Sequence, residues 1–349
     1  MPLKLALLGQ TCADNRAHME ARLTSDWEIG LWLPGDPVDR GEALLGDADA
    51  VVVGSDALVS GGAFALIPKA KKLRLFQLPF AGFDWLKPEG LPQGCYICNA
   101  RGHEQAMAEF AIASLLEWEI GFRKLDASVR GGSWKYQGTS RDPEALHGEV
   151  HGKTLGIFGY GNIGREAAVR AAAFGMRVIA IARSPRDTAP APLDWIGTRA
   201  DTERFLAESD YILLACDLND DTRHAIDAAA FARMKPSAVI VNVARGPVIE
   251  EEALYKALAG KRIAGAVIDT WYIYPNRPLP GGTPEPSPRP SRFPFHELDN
   301  LIMTPHCSAH TEGSDIRRWQ SIAANLDAFA GGREPPGLVM RGTGRPNAA

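Results

Sequence analysis

The stretch from residue 154 to residue 182, TLGIFGYGNIGREAAVRAAAFGMRVIAIA, constrains the fold more than any other part of the 349-residue chain. A short apolar run at 155–158 is long enough for a buried strand, and an alanine-rich segment at 165–174 favours a helix. Gly175 ends that helix, and a β-branched run at 177–181 predicts another strand. Strand, glycine turn, helix and strand within about thirty residues are typical of the βαβ unit that binds dinucleotides.

Three glycines in this stretch follow the spacing G-x-G-x-x-G. Gly159 permits a tight turn, Gly161 lets the backbone approach a pyrophosphate, and Gly164 lets the helix pack close to the strand. The free N–H groups at the start of the helix supply an anion site. The spacing alone is weak evidence, but the predicted strand and helix on either side make a dinucleotide site the favoured interpretation.

Composition narrows the class of protein further. Hydrophobic residues at 45% and charged residues at 23% are ordinary for a globular protein, and the length is sufficient for two domains. A net charge of −4 without a basic block gives no indication of nucleic-acid binding, and no apolar run approaches a membrane span. Five scattered cysteines predict free thiols in a reducing cytoplasm. Cys95 and Cys98 form a C-x-x-C pair, but no second Cys or His pair stands at metal-ligand spacing, so no metal site is predicted.

Short apolar runs in the first hundred residues predict a small α/β domain with parallel strands. Polar, glycine or proline clusters separate the runs, and two intervals (15–23 and 63–71) favour helices. The predicted strands are residues 3–8, 29–33, 50–53, 73–77 and 96–98. The segment LPFAGFD at 78–84 follows one of them, where open α/β sheets bind ligands, although a plain turn explains its composition equally well.

From Glu104 the pattern changes to a long helix at 104–129, with apolar positions at three- and four-residue spacing. The helix carries more large apolar side chains than packing against one domain face requires. We therefore expect it to link the two domains and also to form a dimer contact. Further strands are predicted at 211–215, 238–243, 264–268 and 301–303, and helices at 202–208, 227–234, 250–258 and 311–330. The tail from Gly331 is rich in proline and glycine.

The predicted fold class is therefore α/β, with two Rossmann-like, doubly wound parallel-sheet domains. The cofactor domain, residues 101–310, is inserted into a smaller, flavodoxin-like substrate domain made of residues 1–100 and 311–349. We expect a homodimer formed through the cofactor domain. Eight prolines between residues 275 and 294 exclude a helix or a central strand there, so a long exposed loop is predicted.

Three short strings follow predicted strands and should lie at the same sheet edge as the cofactor. They are NVARG at 242–246, DTWYIY at 269–274 and TPHCS at 304–308. Arginine offers a planar fork that binds a carboxylate and polarises an adjacent carbonyl. Histidine exchanges the proton of a hydroxyl. Singly, Arg245 could be a surface ion pair and His306 a core histidine.

Together with the glycine turn, these strings resemble the D-isomer-specific 2-hydroxyacid dehydrogenase family. The resemblance rests on AVIVNVARGPVIEEEAL at 238–254, GAVID at 265–269 and MTPH at 303–306. Asn99 and Glu109 also match positions of the family. The match is strong from Asn99 onward as far as His310, and thinner, though collinear, before it.

The resemblance implies a role for each matching residue. Arg245 binds and polarises the substrate, and His306 is the acid/base. Backbone N–H groups of Ala81 and Gly82 bind the substrate carboxylate, and Asp269 lies near the nicotinamide carboxamide. The other residues implied to bind cofactor are Asn162, Ile163, Cys216, Thr222, Val243, Ala244 and His306.

One departure from the family lies five residues after Asp269. The family usually has a glutamate there that hydrogen-bonds the histidine, and the formate dehydrogenase branch has glutamine; here the residue is Tyr274. A neutral phenol can orient an imidazole but adds no negative charge. Either Tyr274 is the partner of His306, or Tyr274 only packs in the loop and a carboxylate from Glu285 or Glu297 serves the histidine.

A second departure lies at the end of the strand at 177–181. Members of the family that prefer NAD have an acidic residue there, which accepts hydrogen bonds from the adenosine ribose. This chain has Arg183, Ser184 and Arg186 instead. Two guanidinium groups and a hydroxyl favour a 2′-phosphate, hence NADP. The alternative is that Arg183 merely stacks on the adenine, as it can in enzymes that use NAD.

We therefore expect a cytoplasmic, NADP-dependent reductase that converts small 2-oxo acids, such as glyoxylate or hydroxypyruvate, into D-2-hydroxy acids by hydride transfer. The alternatives are oxidation of a small oxyanion, as in formate or phosphite dehydrogenases, and a non-catalytic NADP-binding regulator. The retained Arg245 and His306 argue against the regulator. The side-chain pocket would come from the least family-like parts, Phe80, Phe83, Trp134 and the proline-rich loop, so the substrate is not specified.

Overall fold

The computed structural model describes residues 2–59, 62–275 and 287–344. The chain divides into two compact units, one made of Met1–His103 with His310–Ala349 and the other of Glu104–Ala309. We call the first the split unit and the second the continuous unit. In the described ranges, the helices are too short or too polar to cross a membrane.

The split unit contains a six-stranded sheet with the order β13-β5-β4-β3-β1-β2. Its strands are β1 Leu3–Leu8, β2 Trp27–Trp32, β3 Ala50–Val53, β4 Leu75–Gln77, β5 Tyr96–Cys98 and β13 Leu338–Arg341. The first five are parallel, in the 2-1-3-4-5 order of flavodoxin-like sheets. The edge strand β13 is antiparallel to β5 and was not predicted, because its proline- and glycine-rich surroundings indicate a tail.

Helices cover both faces of this sheet. They are α1 Gln10–Glu20, α2 Val38–Gly46, α3 Ser55–Val59, α4 Ala63–Leu66 and α11 Glu312–Ala330. The hydroxyl of Thr311 accepts the backbone N–H of Ser314 and caps the last of these helices. Trp319, Ile322 and Leu326 of α11 are buried in one core cluster with residues of β1 and β3, so the end of the chain completes a core that begins at its start.

The continuous unit contains a seven-stranded sheet with the order β12-β11-β10-β9-β6-β7-β8. All its pairings are parallel, and the order from β8 to β11 is the 3-2-1-4-5-6 order of dinucleotide-binding sheets. The strands are β6 Thr154–Phe158, β7 Arg177–Ile181, β8 Trp195–Gly197, β9 Tyr211–Leu214, β10 Val239–Asn242, β11 Gly265–Ile268 and β12 Leu301–Met303. The prediction of an α/β fold with two doubly wound sheets is confirmed.

Both faces of this sheet are buried. Along β9, Ile212 and Leu214 belong to one core cluster, whereas Tyr211 and Leu213 belong to the other. Side chains of a strand alternate between its faces, so a strand covered on both faces has a continuous apolar sequence. The covering helices are α5 Glu104–Ile120, α7 Asn162–Ala173, α8 Thr202–Glu208, α9 Ala228–Arg233 and α10 Glu251–Ala259. The helix α6 Phe122–Arg130 follows α5 and contains no buried residue.

Three details of this unit differ from prediction. The long helix at 104–129 is two helices, because Gly121 between them adopts a left-handed conformation with φ 69°. The strand β8 was missed because its three residues lie in a largely polar segment. The helix after the glycine turn begins at Asn162 rather than Arg165, which brings its N-terminus directly to the glycines.

Candidate active site and cofactor-binding edge

All seven parallel strands of the continuous unit end at the same edge of its sheet. Because the strands are parallel, the segments after β6, β7, β9, β10, β11 and β12 all begin at the carboxyl edge. Ligands of open α/β sheets bind outside this edge. Every cofactor and catalytic residue predicted in this unit lies in one of these segments or in the first turn of α7.

The glycine turn, residues 159–164, depends on the absence of side chains. Gly159 has φ 106°, and a Cβ there would lie 2.7 Å from the carbonyl oxygen of Ala215 and from backbone atoms of Cys216. A Cβ on Gly164 would lie 2.6 Å from the carbonyl oxygen of Gly159, so α7 packs directly on the turn. At Gly161 a Cβ would meet no atom within 4 Å. The fold therefore requires the first and third glycines, whereas the second leaves open space.

The N-terminus of α7 fits an anionic group. Gly161 is its N-cap and offers no side chain, so among the described residues no side-chain hydrogen bond caps the helix. Asn162 is exposed and Ile163 is half-buried in the first turn. Uncapped N–H groups and the positive end of the helix dipole attract a phosphate. These residues are suited to the pyrophosphate of a dinucleotide.

The segment after β7 carries the predicted 2′-phosphate residues. Arg183, Ser184 and Arg186 are all exposed. The guanidinium of Arg183 donates to the carboxylate of Asp217, with Nη2 and Oδ2 3.2 Å apart. The guanidinium of Arg186 lies over the ring of Tyr160, 5.6 Å from its centroid. Asp217 follows β9 and was not identified from the sequence.

Two predicted cofactor residues follow β9. Burial raises the pKa of the Cys216 thiol to about 12, and the nearby carboxylate of Asp217 acts in the same direction, so Cys216 is a neutral thiol at pH 7. The hydroxyl of Thr222 donates to the carbonyl of Asp217 at 2.6 Å and accepts the N–H of Asn219 at 2.9 Å. Thr222 thus shapes the turn that carries Asp217.

Arg245 is the first predicted catalytic residue in chain order, and the loop that carries it is fixed by a buried amide. The side chain of Asn242, at the end of β10, accepts the N–H of Ala244 and donates to the carbonyl of Arg245, both at 3.0 Å. Val243 and Ala244 are buried, whereas Arg245 is half-buried. A Cβ on Gly246 would overlap the carbonyl of Trp271. The arginine loop therefore lies directly against the segment after β11.

The His306 loop is organised by the buried carboxylate of Asp269. One oxygen of Asp269 accepts the hydroxyl of Thr304 at 2.7 Å and the N–H of Cys307 at 2.8 Å, and the other accepts the N–H of Ser308 at 3.0 Å. Burial alone raises the pKa of Asp269, but the hydrogen bonds from Ser308, Thr304 and Cys307 outweigh burial and lower it. Asp269 is therefore an anion that anchors the loop.

His306 itself is exposed and has φ 60°. This left-handed conformation is uncommon for residues other than glycine. Its ring packs against the ring of Tyr274, with centroids 5.5 Å apart and planes inclined by 54°. The two residues predicted to be partners are thus brought together as neighbouring rings.

Tyr274 also belongs to a set of hydrogen bonds that joins two loops. Its hydroxyl accepts the backbone N–H of Trp271 at 3.0 Å, and the indole N–H of Trp271 donates to the carbonyl of Thr304 at 2.8 Å. Because Gly246 also lies against Trp271, the loops that carry Arg245, Tyr274 and His306 form one scaffold.

The proline-rich segment was predicted to be an exposed loop, but its end forms hydrogen bonds with neighbouring elements. Buried Glu251 at the start of α10 accepts the hydroxyl of Ser291 and the guanidinium N–H groups of Arg292. The carbonyl of Pro290 accepts the N–H groups of Tyr272 and Ile273. Glu285 and Glu297 were the alternative carboxylate partners for His306. Oε1 of Glu297 lies 3.8 Å from Nε2 of His296, and Glu285 lies outside the described residues.

The predicted substrate-binding residues Ala81 and Gly82 belong to the split unit, in the segment that follows β4. The amide of Asn99 donates to the carbonyl of Ala81 at 2.9 Å. Behind this segment, the buried amide of Asn325 donates to the side chain of Gln77 at 2.8 Å and to the carbonyl of Asn99 at 3.2 Å. The loop after β4 is therefore supported by buried amides.

Comparison with known proteins adds to this geometry. A sequence profile described as "D-isomer specific 2-hydroxyacid dehydrogenase, NAD binding domain" matches residues 112–308. A glyoxylate reductase of Thermococcus gammatolerans is 33% identical over 325 residues, which are 91% of this chain and 91% of that protein.

Solved structures share the fold. A D-isomer specific 2-hydroxyacid dehydrogenase family protein from Aeromonas salmonicida superposes with a TM-score of 0.79 at 26% identity, covering 97% of this chain and 99% of that one. An NADPH-dependent glyoxylate/hydroxypyruvate reductase from Sinorhizobium meliloti, solved with NADP and sulfate, gives a TM-score of 0.74 at 23% identity, covering 97% and 98%.

The chain belongs to the D-isomer-specific 2-hydroxyacid dehydrogenase family. It is accordingly an oxidoreductase that uses a nicotinamide cofactor and acts on the CH–OH group of small substrates. The resemblance seen in the sequence is confirmed.

Proposed function

We propose that this protein reduces small 2-oxo acids of the glyoxylate or hydroxypyruvate type to D-2-hydroxy acids with NADPH. The observation that carries this proposal is the single scaffold formed by the loops of Arg245, Tyr274 and His306. A guanidinium and an imidazole on one scaffold supply the two functions that reduction of a 2-oxo acid needs, a carboxylate clamp and a proton donor.

Each side chain has a distinct task in this proposal. Arg245 binds the substrate carboxylate and polarises the adjacent carbonyl. When bound, the reduced nicotinamide supplies the hydride that adds to the carbonyl carbon. His306 gives its proton to the carbonyl oxygen, which becomes the hydroxyl of the product. Asp269 stays ionised and keeps the His306 loop in place.

We further propose that the continuous unit is the cofactor domain and that the split unit is the substrate domain. Arg183, Ser184 and Arg186 support the choice of NADPH, because exposed guanidinium groups and a hydroxyl can bind a 2′-phosphate with charge-assisted hydrogen bonds. The glyoxylate reductases among the relatives support the substrate class. Five free thiols support a reducing, cytoplasmic location.

Turnover with NADPH and a panel of 2-oxo acids tests the proposal. Glyoxylate and hydroxypyruvate should be reduced, and Arg245→Lys should raise KM and lower kcat, since an ammonium keeps the charge but loses the bidentate fork. Arg223→Lys, an exposed arginine of the same unit, is the control. Oxidation of formate or phosphite without reduction of oxo acids would favour the oxyanion alternative. Cofactor binding without any turnover would favour a regulator.

A homodimer through the continuous unit is part of the proposal. Phe122 and Val129 of α6 are 61% and 54% exposed, and Trp134 and Leu146 in the following segment are 68% and 82% exposed. Large apolar side chains grouped along one segment are typical of a protein interface. Leu146→Glu should convert a dimer into a monomer in light scattering, whereas Val169→Glu, 59% exposed on α7, should not. A monomeric native protein would contradict this part.

A further inference from the structure

The carboxylate of Asp217 lies where the cofactor's adenosine end is proposed to bind. Arg183 follows β7 and Asp217 follows β9, and β6 lies between those two strands. Their ion pair, 3.2 Å long, therefore joins segments that follow the strands on either side of β6, whose own carboxyl end carries the glycine turn. We propose, resting on the NADPH-dependent function above, that Asp217 is a specificity-determining residue that narrows the preference for NADPH over NADH.

The position of Asp217 is set by its surroundings. Cys216, immediately before it, packs so closely on Gly159 that no Cβ fits between them. On the other side, the hydroxyl of Thr222 donates to the carbonyl of Asp217, and the side chain of Asn219 accepts the N–H of Thr222 at 3.1 Å. The glycine turn and a hydrogen-bonded turn thus fix the backbone that carries the carboxylate.

The carboxylate of Asp217 pairs with one of several guanidinium groups in the segments around it. Arg183 is paired with Asp217, whereas in the described ranges no carboxylate pairs with Arg186, which lies over Tyr160. Arg199 adds a further positive charge where it lies over the ring of Phe158, 5.3 Å from its centroid. Asp217 therefore neutralises one guanidinium of a cationic group and leaves the others.

This arrangement affects the two cofactors in opposite directions. A 2′-phosphate has to compete with Asp217 for Arg183 and is repelled by the carboxylate. A ribose 2′-hydroxyl can instead donate a hydrogen bond to a carboxylate, as acidic residues at this edge do in NAD-binding sheets. Because the ion pair is exposed, its contribution is modest, and the expected change is several-fold rather than a thousandfold.

Binding without substrate tests the inference. Dissociation constants of NADP⁺ and NAD⁺ are measured by calorimetry for the native protein, Asp217→Asn and Asp221→Asn. Asp221 is an exposed carboxylate of the same turn without an ion-pair partner among the described residues, so its replacement changes the net charge equally. The same series is repeated with 2′,5′-ADP and 5′-ADP, which isolate the adenosine end.

Asp217→Asn should raise the ratio of the NAD⁺ to the NADP⁺ dissociation constant by about three- to tenfold relative to the native protein, and Asp221→Asn by less than twofold. Equal ratios in the two variants would overturn the inference, whatever the catalytic activity. If neither nucleotide binds the native protein, the proposed function and the inference both fail. If both bind but no oxo acid is reduced, only the proposed function fails.

Discussion

The glycine turn after β6 and the His306 loop after β12 lie at the same sheet edge but are built in opposite ways. The turn reaches its shape because side chains are absent: Gly159 and Gly164 allow backbone contacts that a Cβ would prevent. The His306 loop reaches its shape because one side chain is present, the buried carboxylate of Asp269. One loop is shaped by close backbone packing and the other by a buried charge.

The difference decides what a substitution does in each loop. Adding a methyl group at Gly159 or Gly164 would bring a Cβ too close to backbone atoms of the segment after β9 or of the turn itself. Replacing Asp269 by asparagine keeps the size of the side chain but leaves one acceptor oxygen where two now accept three hydrogen bonds. We therefore expect steric effects in the turn and electrostatic, pH-dependent effects in the His306 loop.

The largest expected effect is in the turn. Gly159→Ala should lower the free energy of unfolding by about 4 kcal/mol, because φ 106° is unfavourable for alanine and its Cβ would contact the backbone of Ala215 and Cys216. Gly161→Ala should change stability by less than about 1 kcal/mol, since nothing lies within 4 Å. Urea denaturation measures both.

The variants Gly159→Ala and Gly161→Ala also distinguish an effect on folding from an effect on cofactor binding. Gly161→Ala should weaken NADP⁺ binding although the protein remains folded, because the methyl group enters the space that the pyrophosphate is proposed to use. Similar stability of the two alanine variants would contradict the steric account of the turn. Native affinity in the folded Gly161→Ala variant would contradict the proposed pyrophosphate position.

Asp269→Asn should lower the free energy of unfolding by about 3 kcal/mol at pH 7, because an amide offers one acceptor oxygen where the carboxylate uses two. Asp227→Asn is the control, since Asp227 caps α9 through one oxygen and asparagine caps equally well. Urea denaturation at several pH values gives both differences.

The pH dependence has a definite sign. The folded pKa of Asp269 is lowered below the ordinary value of 3.8. Its stabilising contribution is therefore complete above pH 3.8 and is lost as the pH falls through the folded pKa. The stability difference between the native protein and Asp269→Asn should shrink in that acidic range. A difference that is the same at pH 7 and in the acidic range would refute an ionised anchor.

The glycine turn can be predicted from the sequence, whereas the anchoring of the His306 loop cannot. The glycine turn is local, so the spacing of Gly159, Gly161 and Gly164 and the strand before them indicate both its position and its shape. Strands such as β1, β3, β7 and β12 were likewise predicted with their observed bounds, because their apolar runs are short and well separated.

Features that depend on distant residues were not predicted. Asp269 anchors a loop 35 to 39 positions away. No local sequence pattern indicates that its carboxylate accepts hydrogen bonds from backbone N–H groups. The Arg183–Asp217 pair joins two strands that are separated by a third. The strand β13 pairs with β5, which is distant from it in the sequence. In each case the partner is set by the topology of the sheet.

The smallest expected effect concerns Tyr274, which lies against His306 without a negative charge. Tyr274→Glu should move the falling limb of kcat/KM for oxo-acid reduction to higher pH by about one unit, because a carboxylate stabilises the protonated imidazole. Tyr274→Phe should lower activity with little shift of the limb, since it removes the acceptor for the N–H of Trp271. An unmoved limb in Tyr274→Glu would mean that Tyr274 only packs in its loop.

The division of the chain has a consequence for its synthesis on the ribosome. The continuous unit is encoded by one uninterrupted stretch, Glu104–Ala309, and its core can form before the remainder has been translated. The split unit cannot finish its core until α11 emerges. Until then the side chain of Gln77 lacks its donor, the side-chain amide of Asn325, whose oxygen Oδ1 accepts the N–H of Gly337 at 2.7 Å. The first hundred residues, although they are translated early, therefore complete their core only after residues 310–349 have emerged.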